Sequence, residues 1–240
     1  MLLKGKRIFV TGGSRGIGAS CVRICAENGA MVGFNYHSHV EEALSIEKEL
    51  GDSCKSYKAD VRDPEEIGAA LIDFCNGKNL HGLVVNAGIY RRAAFSDLDM
   101  DDWRRTMSVN LDGAFATLKN GIEHIRSGSV AIISSQLAYK GSSHGADYAA
   151  SKAALIGLNA SLAREFAPDI RFNALAPGYV DTDILASDTA EKRAKRENEV
   201  PLGRLSSPDE VANVVLFLLS DLSSYMTGSV LDVNGGLFIH

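Results

Sequence analysis

Residues 11–18 of the chain read Thr-Gly-Gly-Ser-Arg-Gly-Ile-Gly and follow a short apolar run that starts at Arg7. Such a run is typical of a buried strand, and apolar residues recur at helical spacing from Gly16 onward. Glycines let the intervening turn bend sharply and approach a pyrophosphate closely, while free N–H groups at a helix start attract phosphates. The stretch therefore predicts a phosphate-binding turn at the edge of a nucleotide-binding sheet.

Strand-length apolar runs alternate with helix-length segments along the rest of the chain. The predicted strands are 7–11, 31–35, 54–58, 82–86, 129–134, 170–174 and 229–233, and the predicted helices are 16–28, 40–50, 64–75, 100–125, 147–166 and 208–219. Continuous apolar runs such as Val130-Ala131-Ile132-Ile133 suit parallel strands covered on both faces. The alternation predicts an α/β fold in which one domain, residues 1–240, forms a doubly wound (Rossmann-type) parallel sheet of about seven strands with helices on both faces.

Composition excludes several classes of protein. The chain has 240 residues, 45% of them hydrophobic, and 25 basic against 30 acidic side chains for a net charge of −5. Without a cluster of basic residues we expect no nucleic-acid partner. No apolar stretch reaches the ~20 residues of a membrane span, and the N-terminus enters a strand without a signal peptide. Cys21, Cys25, Cys54 and Cys75 lack metal-ligand spacing, which predicts no metal site and a cytoplasmic location.

Residues 179–207 form a charged segment that interrupts the alternation of apolar strand and helix segments. A solvated surface helix is the simpler interpretation. The segment also follows the carboxyl end of a predicted strand directly, where ligands of such sheets bind. On that ground we predict that it serves as a substrate lid.

Polar residues in the second half of the chain are suited to proton transfer. Tyr148 and Lys152 lie four residues apart in a predicted helix, so the ammonium can sit beside the phenol and favour its ionised form. A tyrosine with an unperturbed pKa near ~10 is otherwise a poor acid or base at neutral pH. Ser135 directly follows the fifth predicted strand, and Asn110 lies in the long predicted helix before that strand. Tyr148 and Lys152 are therefore a candidate catalytic pair, with an exposed polar pair on a helix as the alternative interpretation.

The same residues stand in the order and spacing of a known family. The matching positions are the glycine turn with Gly12, Gly16 and Gly18, the sequence Asn86-Ala87-Gly88, Asn110, Ser135, the Tyr148-Ala149-Ala150-Ser151-Lys152 element and Pro177-Gly178. The chain thus resembles the short-chain dehydrogenase/reductase family over essentially its whole length. The resemblance implies an NAD(P)-dependent oxidoreductase that transfers a hydride between a nicotinamide cofactor and a carbonyl or secondary alcohol.

Catalytic roles follow from this resemblance. Tyr148 would give a proton to the substrate carbonyl, or take it in the alcohol-oxidising direction, and Ser135 would hold that oxygen. Lys152 would lower the pKa of the tyrosine and hold the nicotinamide ribose. Asn110 would hold a water that connects Lys152 to solvent. The cofactor would supply the hydride, and the protein the position and the electrostatics.

The resemblance also implies a set of cofactor-binding residues. They are Gly12, Ser14, Arg15, Gly16, Ile17, Gly18, Tyr36, His37, Ser38, Asp60, Val61, Asn86, Ala87, Gly88, Tyr148, Lys152, Pro177, Gly178, Val180 and Thr182. NAD-preferring relatives usually place an acidic residue after the second strand to take the ribose hydroxyls, but here Tyr36 stands there. Arg15, His37 and Ser38 offer groups for a 2′-phosphate. We therefore predict NADP(H) in preference to NAD(H).

Candidate substrate residues are Tyr90, Gln136, Tyr139, His144 and Tyr179, a mixture of aromatic and polar groups that suits a hydroxylated or ketoacyl substrate. The chain resembles both β-ketoacyl-acyl-carrier-protein reductases and sugar dehydrogenases, so a 3-oxoacyl thioester and a sugar or polyol stay open. Arg91, Arg92 and Arg126 are candidates for docking a carrier protein, or ordinary surface residues.

A non-catalytic NADP-sensing regulator would have lost the serine, tyrosine or lysine. The resemblance further implies a homo-oligomer, dimeric or tetrameric.

Overall fold

The strands in the described part of the chain run parallel in one sheet. The computed structural model describes residues 1–186 and 188–239, and its strands are β1 (Arg7–Val10), β2 (Met31–Tyr36), β3 (Cys54–Lys58), β4 (Gly82–Val85), β5 (Gly128–Ile133), β6 (Ile170–Pro177) and β7 (Val230–Val233). Their order is β3-β2-β1-β4-β5-β6-β7, with parallel pairing at each step. The predicted doubly wound sheet of seven strands is confirmed. Ser187 and His240 of the predicted 1–240 domain lie outside the described residues.

Helices connect the strands. They are α1 (Gly16–Glu27), α2 (Val40–Leu50), α3 (Pro64–Cys75), α4 (Met100–Met107), α5 (Gly113–Ile122), α6 (Leu137–Lys140), α7 (Ala146–Glu165), α8 (Ala190–Glu199) and α9 (Pro208–Leu219). The Asp63 side chain caps α3, and Ser207 forms a capping box with Glu210 at the start of α9. Proline follows each cap at the first helical position, where its missing N–H costs nothing.

One predicted helix is interrupted. The expected helix over 100–125 divides into α4 and α5, separated by a π-helical turn over Ser108–Asp112, and it ends at Ile122. The apolar spacing continues through the turn, which is why the sequence reads as one helix. The short helix α6 was not predicted, and β6 extends three residues beyond its predicted end to Pro177.

Two apolar clusters cover the two faces of the sheet. One joins the inner sides of α1, α2 and α9 to the sheet, and the other joins those of α3, α5 and α7. All four cysteines are buried and free, in keeping with a packing role. In the described part of the chain, no helix is long and apolar enough to cross a membrane. No group of three or more histidine, cysteine or acidic side chains among residues 1–186 and 188–239 could hold a metal ion.

Close packing between β2 and α3 requires a glycine at position 33. A Cβ added there would lie 2.6 Å from the Phe74 ring. Overpacking of a buried site forces backbone or side-chain shifts, so we expect Gly33→Ala to lower the free energy of unfolding by about 1–3 kcal/mol, measured by urea denaturation. Phe74→Leu should make room for the new methyl group, so the double variant should lose less than the sum of the two single losses. Strictly additive losses would contradict this packing argument.

Candidate active site

The glycine turn is anchored by side chains from the neighbouring strand ends. The backbone N–H of Gly12 donates to Asn35 Oδ1 at 3.1 Å, and the N–H of Gly13 donates to the Asn35 carbonyl at 3.0 Å. Asn35 is buried, and its Nδ2 donates to the Ala59 carbonyl at 2.8 Å. The end of β2 thereby holds the turn in place on one side.

Asn86 holds the turn on its other side. Thr11 Oγ1 accepts the backbone N–H groups of Asn86 at 2.9 Å and of Ala87 at 3.1 Å. Asn86 Nδ2 donates in return to the carbonyls of Thr11 and Gly12 at 2.9 and 3.2 Å. A Cβ at Gly18 would lie 2.1 Å from the Gly12 carbonyl oxygen and 2.6 Å from Asn86 Nδ2. Glycine is therefore required where α1 begins against this turn.

An open cleft runs along the carboxyl ends of β1, β2, β3 and β4. Of the predicted cofactor residues, those that line it are Gly12, Ser14, Arg15, Gly16, Ile17, Tyr36, His37, Ser38, Asp60, Val61, Asn86, Ala87, Gly88 and Thr182. Gly18, Tyr148, Lys152, Pro177, Gly178 and Val180 do not line this cleft. The residues present fit a dinucleotide, because the turn has no side-chain bulk at Gly12 and Gly16, whose φ angles are +65° and +54°.

Sequence reasoning missed several residues of the cleft. They are Asn35, His39, Arg62, Ile89, Arg105, Val109, Asp183 and Ile184. Ile89 directly follows Asn86-Ala87-Gly88, so extending that motif by one residue would have found it. Arg105 and Val109 reach the cleft because α4 and the π-helical turn lie across it, which no local pattern indicates.

Charged groups concentrate at the end of the cleft formed by β2 and β3. Arg15 Nη1 lies 3.3 Å from Asp183 Oδ2, and His37 Nε2 lies 3.5 Å from Asp60 Oδ2. Arg62 Nε donates to Asp60 Oδ2 at 2.8 Å, and this guanidinium lowers the pKa of Asp60. Tyr36 occupies the position at the end of β2 where NAD-preferring relatives carry an acidic residue. Its side chain is only 8% exposed and packs into the apolar cluster of α1.

The predicted catalytic residues meet at the other side of the sheet's carboxyl edge. Ser135 follows β5, and Tyr148 and Lys152 lie on the first two turns of α7. Lys152 Nζ donates to the Ile133 carbonyl at 2.8 Å and lies 5.7 Å from the centre of the Tyr148 ring. A Cβ on Gly88 would lie 3.4 Å from Lys152 Nζ and 3.3 Å from Asn110 Oδ1. The motif glycine after β4, the lysine and the asparagine are thus close neighbours.

Burial governs the protonation of this group. Desolvation raises the pKa of Tyr148 to about 12, although a hydrogen bond with Ser135 acts in the opposite direction. Desolvation also lowers the pKa of Lys152 to about 8. Both shifts favour the neutral forms of the two side chains. The lowering of the Tyr148 pKa by Lys152, which the resemblance implies, is opposite to this burial effect and stays a prediction.

Asn110 occupies the centre of the π-helical turn and is fully buried. Its Oδ1 accepts the Ile89 N–H at 2.8 Å, and its Nδ2 donates to the Ile89 carbonyl and to Ser151 Oγ, each at 3.0 Å. π-Helical turns inside α-helices frequently occur at functional sites, where they redirect a side chain. Here the turn directs Asn110 between the Asn-Ala-Gly loop and α7.

The predicted substrate residues do not form one group. Tyr90 lies beside the catalytic group, with its ring 4.6 Å from that of Tyr148 and its hydroxyl donating to the His144 carbonyl at 3.1 Å. The His144 side chain is exposed and bonds Ser143. Tyr139 stacks on Phe238 near the C-terminus at 5.9 Å.

Gln136 and Tyr179 differ in how they are bound. Gln136 is buried directly after Ser135, and its Oε1 has no hydrogen-bond partner. The Tyr179 hydroxyl donates to Glu199 Oε2 at 3.0 Å, while the Arg196 guanidinium lies over its ring at 4.5 Å. The Oε1 of Gln136 is therefore a buried acceptor without a hydrogen-bond partner, whereas Tyr179 contacts side chains of α8.

The charged segment 179–207 contains the surface helix α8, and its residue Ser187 lies outside the described residues. Arg193 donates to Asp181 at 2.6 and 2.9 Å, and Arg196 donates to Asp188 at 2.5 Å. At its start the segment touches the glycine turn, because a Cβ on Gly16 would lie 3.3 Å from Thr182 Cγ2. The surface helix is confirmed, and the lid function stays a prediction.

Comparison with known proteins places this arrangement in a family. A family model described as enoyl-(acyl carrier protein) reductase matches residues 12–238. The 3-oxoacyl-[acyl-carrier-protein] reductase FabG of Aquifex aeolicus (strain VF5) is 38% identical, covering 98% of each chain. The L-rhamnose 1-dehydrogenase (NAD(P)(+)) of Azotobacter vinelandii is 37% identical, over 100% of this chain and 99% of that one. A blue fluorescent protein from a metagenomic library, solved in complex with NADPH, superposes with a TM-score of 0.94 at 33% identity over 100% of both chains.

The sheet, the glycine turn and these relatives together define a nicotinamide-dependent oxidoreductase that acts on a carbonyl group or a secondary alcohol. The chain belongs to the short-chain dehydrogenase/reductase family, as its motifs predict.

The shifted pKa of Lys152 makes stability depend on pH in a defined window. Because its folded pKa of about 8 lies below the ordinary 10.5, the folded state binds fewer protons between these two values. The stability that its neutral form contributes is complete above pH 10.5 and is lost as pH falls through about 8. We expect Lys152→Met to flatten the rise in unfolding free energy over this window, measured by urea titrations at several pH values. Lys195→Met, which removes an exposed lysine of α8, should keep the wild-type slope; an equal change in both variants would refute the assignment.

Proposed function

We propose that the protein is an NADP(H)-dependent 3-oxoacyl thioester reductase in which Tyr148 transfers the proton. The observation that carries this proposal is the convergence of Ser135, Tyr148 and Lys152 beside Gly88 and Asn110, next to a cleft that fits a dinucleotide. When bound, the nicotinamide supplies or accepts the hydride. The residues proposed to hold the cofactor are those named in the sequence analysis, including Pro177, Gly178 and Val180 near the nicotinamide.

In this mechanism Ser135 and Tyr148 act on the same substrate oxygen. The Ser135 hydroxyl orients the carbonyl oxygen, and the Tyr148 hydroxyl donates a proton to it as the carbonyl carbon is reduced. A nearby Lys152 ammonium stabilises the phenolate that remains, because opposite charges within a few ångströms favour the ionised form. In the reverse direction the same phenolate accepts the proton of the alcohol.

Asn110 supports this centre through its side-chain contacts. Since its amide already binds Ile89 and Ser151, it fixes the loop after β4 against α7 beside Lys152. The water that the family resemblance places at Asn110, and the relay from Lys152 to solvent, stay part of the proposal.

The charges of the cleft support a preference for NADP(H). Arg15, His37 and Ser38 line its β2 end, where Tyr36 replaces the carboxylate of NAD-preferring relatives. Asp60 lies 3.5 Å from His37 Nε2, and the Arg62 guanidinium offsets the charge of this carboxylate. The structural neighbour solved with NADPH agrees with this preference.

The ketoacyl substrate is supported by the FabG relative, which is named as a 3-oxoacyl-[acyl-carrier-protein] reductase. Arg91 and Arg92 follow Tyr90 and supply positive charge for an acidic carrier protein, although Arg91 also pairs with Asp102. Cytoplasmic location and assembly into dimers or tetramers belong to this proposal through the family resemblance.

A sugar or polyol dehydrogenase is the second candidate function. The buried, unpartnered Oε1 of Gln136 favours it, because a substrate hydroxyl could donate to this acceptor. The rhamnose dehydrogenase relative shows that sugars are substrates of similar proteins.

Substrate class can be tested with a panel of acetoacetyl-CoA, diketones, quinones and ketoses, following NADPH consumption. We expect the highest kcat/KM for acetoacetyl-CoA, and Tyr148→Phe should lower kcat about 10²–10⁴-fold, because general acid catalysis contributes that much. NADPH binding, measured by fluorescence, should remain. Full activity of Tyr148→Phe would overturn the mechanism, preference for a ketose would favour the second candidate, and binding of NADPH without turnover would favour the non-catalytic regulator.

Cofactor preference depends in this proposal on Arg15. Loss of charge-assisted hydrogen bonds to a phosphate should lower the ratio of kcat/KM for NADPH to kcat/KM for NADH about 10–100-fold in Arg15→Ala. Arg15→Lys should keep part of the preference through its charge. Arg23→Ala, on the helix α1 that follows Arg15 and paired with Glu49, is the matched control and should leave the ratio unchanged. A wild-type enzyme that prefers NADH would refute the assignment.

A further inference from the structure

A buried carboxyl group stands directly before the catalytic tyrosine. Asp147 is 1% exposed, and its Oδ2 accepts a hydrogen bond from Thr106 Oγ1 at 2.5 Å. Its other oxygen, Oδ1, is buried without a hydrogen-bond partner. Burying a carboxyl group is costly unless it is compensated, and the position of Asp147 in the first turn of α7 and its bond to Thr106 compensate this cost while Oδ1 stays unpaired.

Thr106 belongs to the helix that leads into Asn110. Asn110 follows Thr106 by four residues, just as Ser151 follows Asp147 by four residues on α7. Asn110 Nδ2 donates to Ser151 Oγ at 3.0 Å, and Ser151 Oγ donates to the Tyr148 carbonyl at 2.7 Å. The Thr106–Asp147 and Asn110–Ser151 contacts are therefore two polar bridges, one helical turn apart, that tie α7 to α4 and its π-helical turn.

The first turn of α7 depends on these bridges because its own cap is weak. Gly145 occupies the cap position and has no side chain to accept the free N–H groups, whereas α3 and α9 begin with capping side chains. Tyr148 lies on that first turn, between Asp147 and Ser151. Movement of α7 relative to α4 would carry the Tyr148 hydroxyl away from Ser135.

We propose that Asp147 and Thr106 are positioning residues for Tyr148. Their hydrogen bond fixes the first turn of α7 against α4, so that the Tyr148 hydroxyl stays close enough to Ser135 for proton transfer. They act through the helix and through its contact with α4, and have no contact with substrate or cofactor in this proposal. The inference rests on the function proposed above, in which Tyr148 is the proton donor.

Thr106→Val tests the bridge with little change in shape. Displacement of a reacting group by about 1 Å can cost ~10²-fold in rate, so we expect kcat per NADPH-binding site to fall at least about 10-fold. The dissociation constant for NADPH should stay within about 2-fold. Thr106→Ser keeps the donor and should recover kcat to within about 3-fold of the wild type. Asp147→Ala should resemble Thr106→Val, and if it fails to fold, the valine and serine variants still decide the question.

Asn159→Ala is the matched control on the same helix. Asn159 is buried and donates from α7 to the Ser229 carbonyl at 3.3 Å, far along the helix from Tyr148. We expect this variant to lower the urea midpoint but to keep wild-type kcat per NADPH-binding site. A wild-type kcat in Thr106→Val, or an equal loss in Asn159→Ala, would overturn the inference. All these assays use the carbonyl compound of the substrate panel that the wild-type protein reduces fastest. Retained activity in Tyr148→Phe would instead overturn the proposed function. If the wild-type protein turns over no compound of the panel, both the proposed function and the positioning role of Asp147 and Thr106 are refuted.

Discussion

The hydroxyl of Thr11 makes the contact on which the rest of the site depends. The last backbone hydrogen bond between β1 and β4 lies at Thr11, whose N–H donates to the Val84 carbonyl at 2.9 Å, and the chain beyond it remains partly buried. One hydroxyl accepts two backbone N–H groups, from Asn86 and Ala87, and lies 3.3 Å from the Val84 carbonyl. A buried donor without a partner costs about 1–3 kcal/mol, so an apolar side chain at position 11 would leave the two loops poorly joined. The cleft keeps its shape because this bond and the Asn86 amide tie the glycine turn to the next loop.

The two ends of the site differ in their exposure to water, and therefore in their electrostatics. The end near β2 carries several polar and charged side chains that reach solvent, including the guanidinium groups of Arg15 and Arg62 and the imidazole of His37. At the catalytic end, burial raises the pKa of Tyr148 and lowers that of Lys152, and both shifts favour the uncharged side chain. A solvated charged end suits phosphate groups, which remain ionised. A desolvated end suits proton transfer, since neighbouring charges and dipoles act more strongly where water is excluded.

Sequence patterns predict the sheet and the motifs well, because both depend on local features. Continuous apolar runs mark the central strands β4 and β5, and the glycine turn needs a particular backbone that few residues allow. The π-helical turn and the Thr106–Asp147 bridge could not be predicted in this way. An extra residue in a helical turn shifts the apolar spacing by only one position, which a pattern of three- and four-residue intervals does not reveal. The partner of a polar side chain such as Asp147 depends on how two helices meet. The same limit hid Arg105, which reaches the cleft only through the path of α4.

The charged segment 179–207 borders the cleft through Thr182, Asp183 and Ile184. Its ion pairs within the described residues are largely internal, as between Arg193 and Asp181, so the segment neutralises much of its own charge. Contact with the glycine turn runs through Arg15 and Asp183, whose side chains are 50% and 64% exposed. Exposed ion pairs of this kind contribute little to stability, since water competes for both partners. A phosphate offers Arg15 several charge-assisted hydrogen bonds in place of this one, so the contact with Asp183 is compatible with a phosphate-binding role for Arg15.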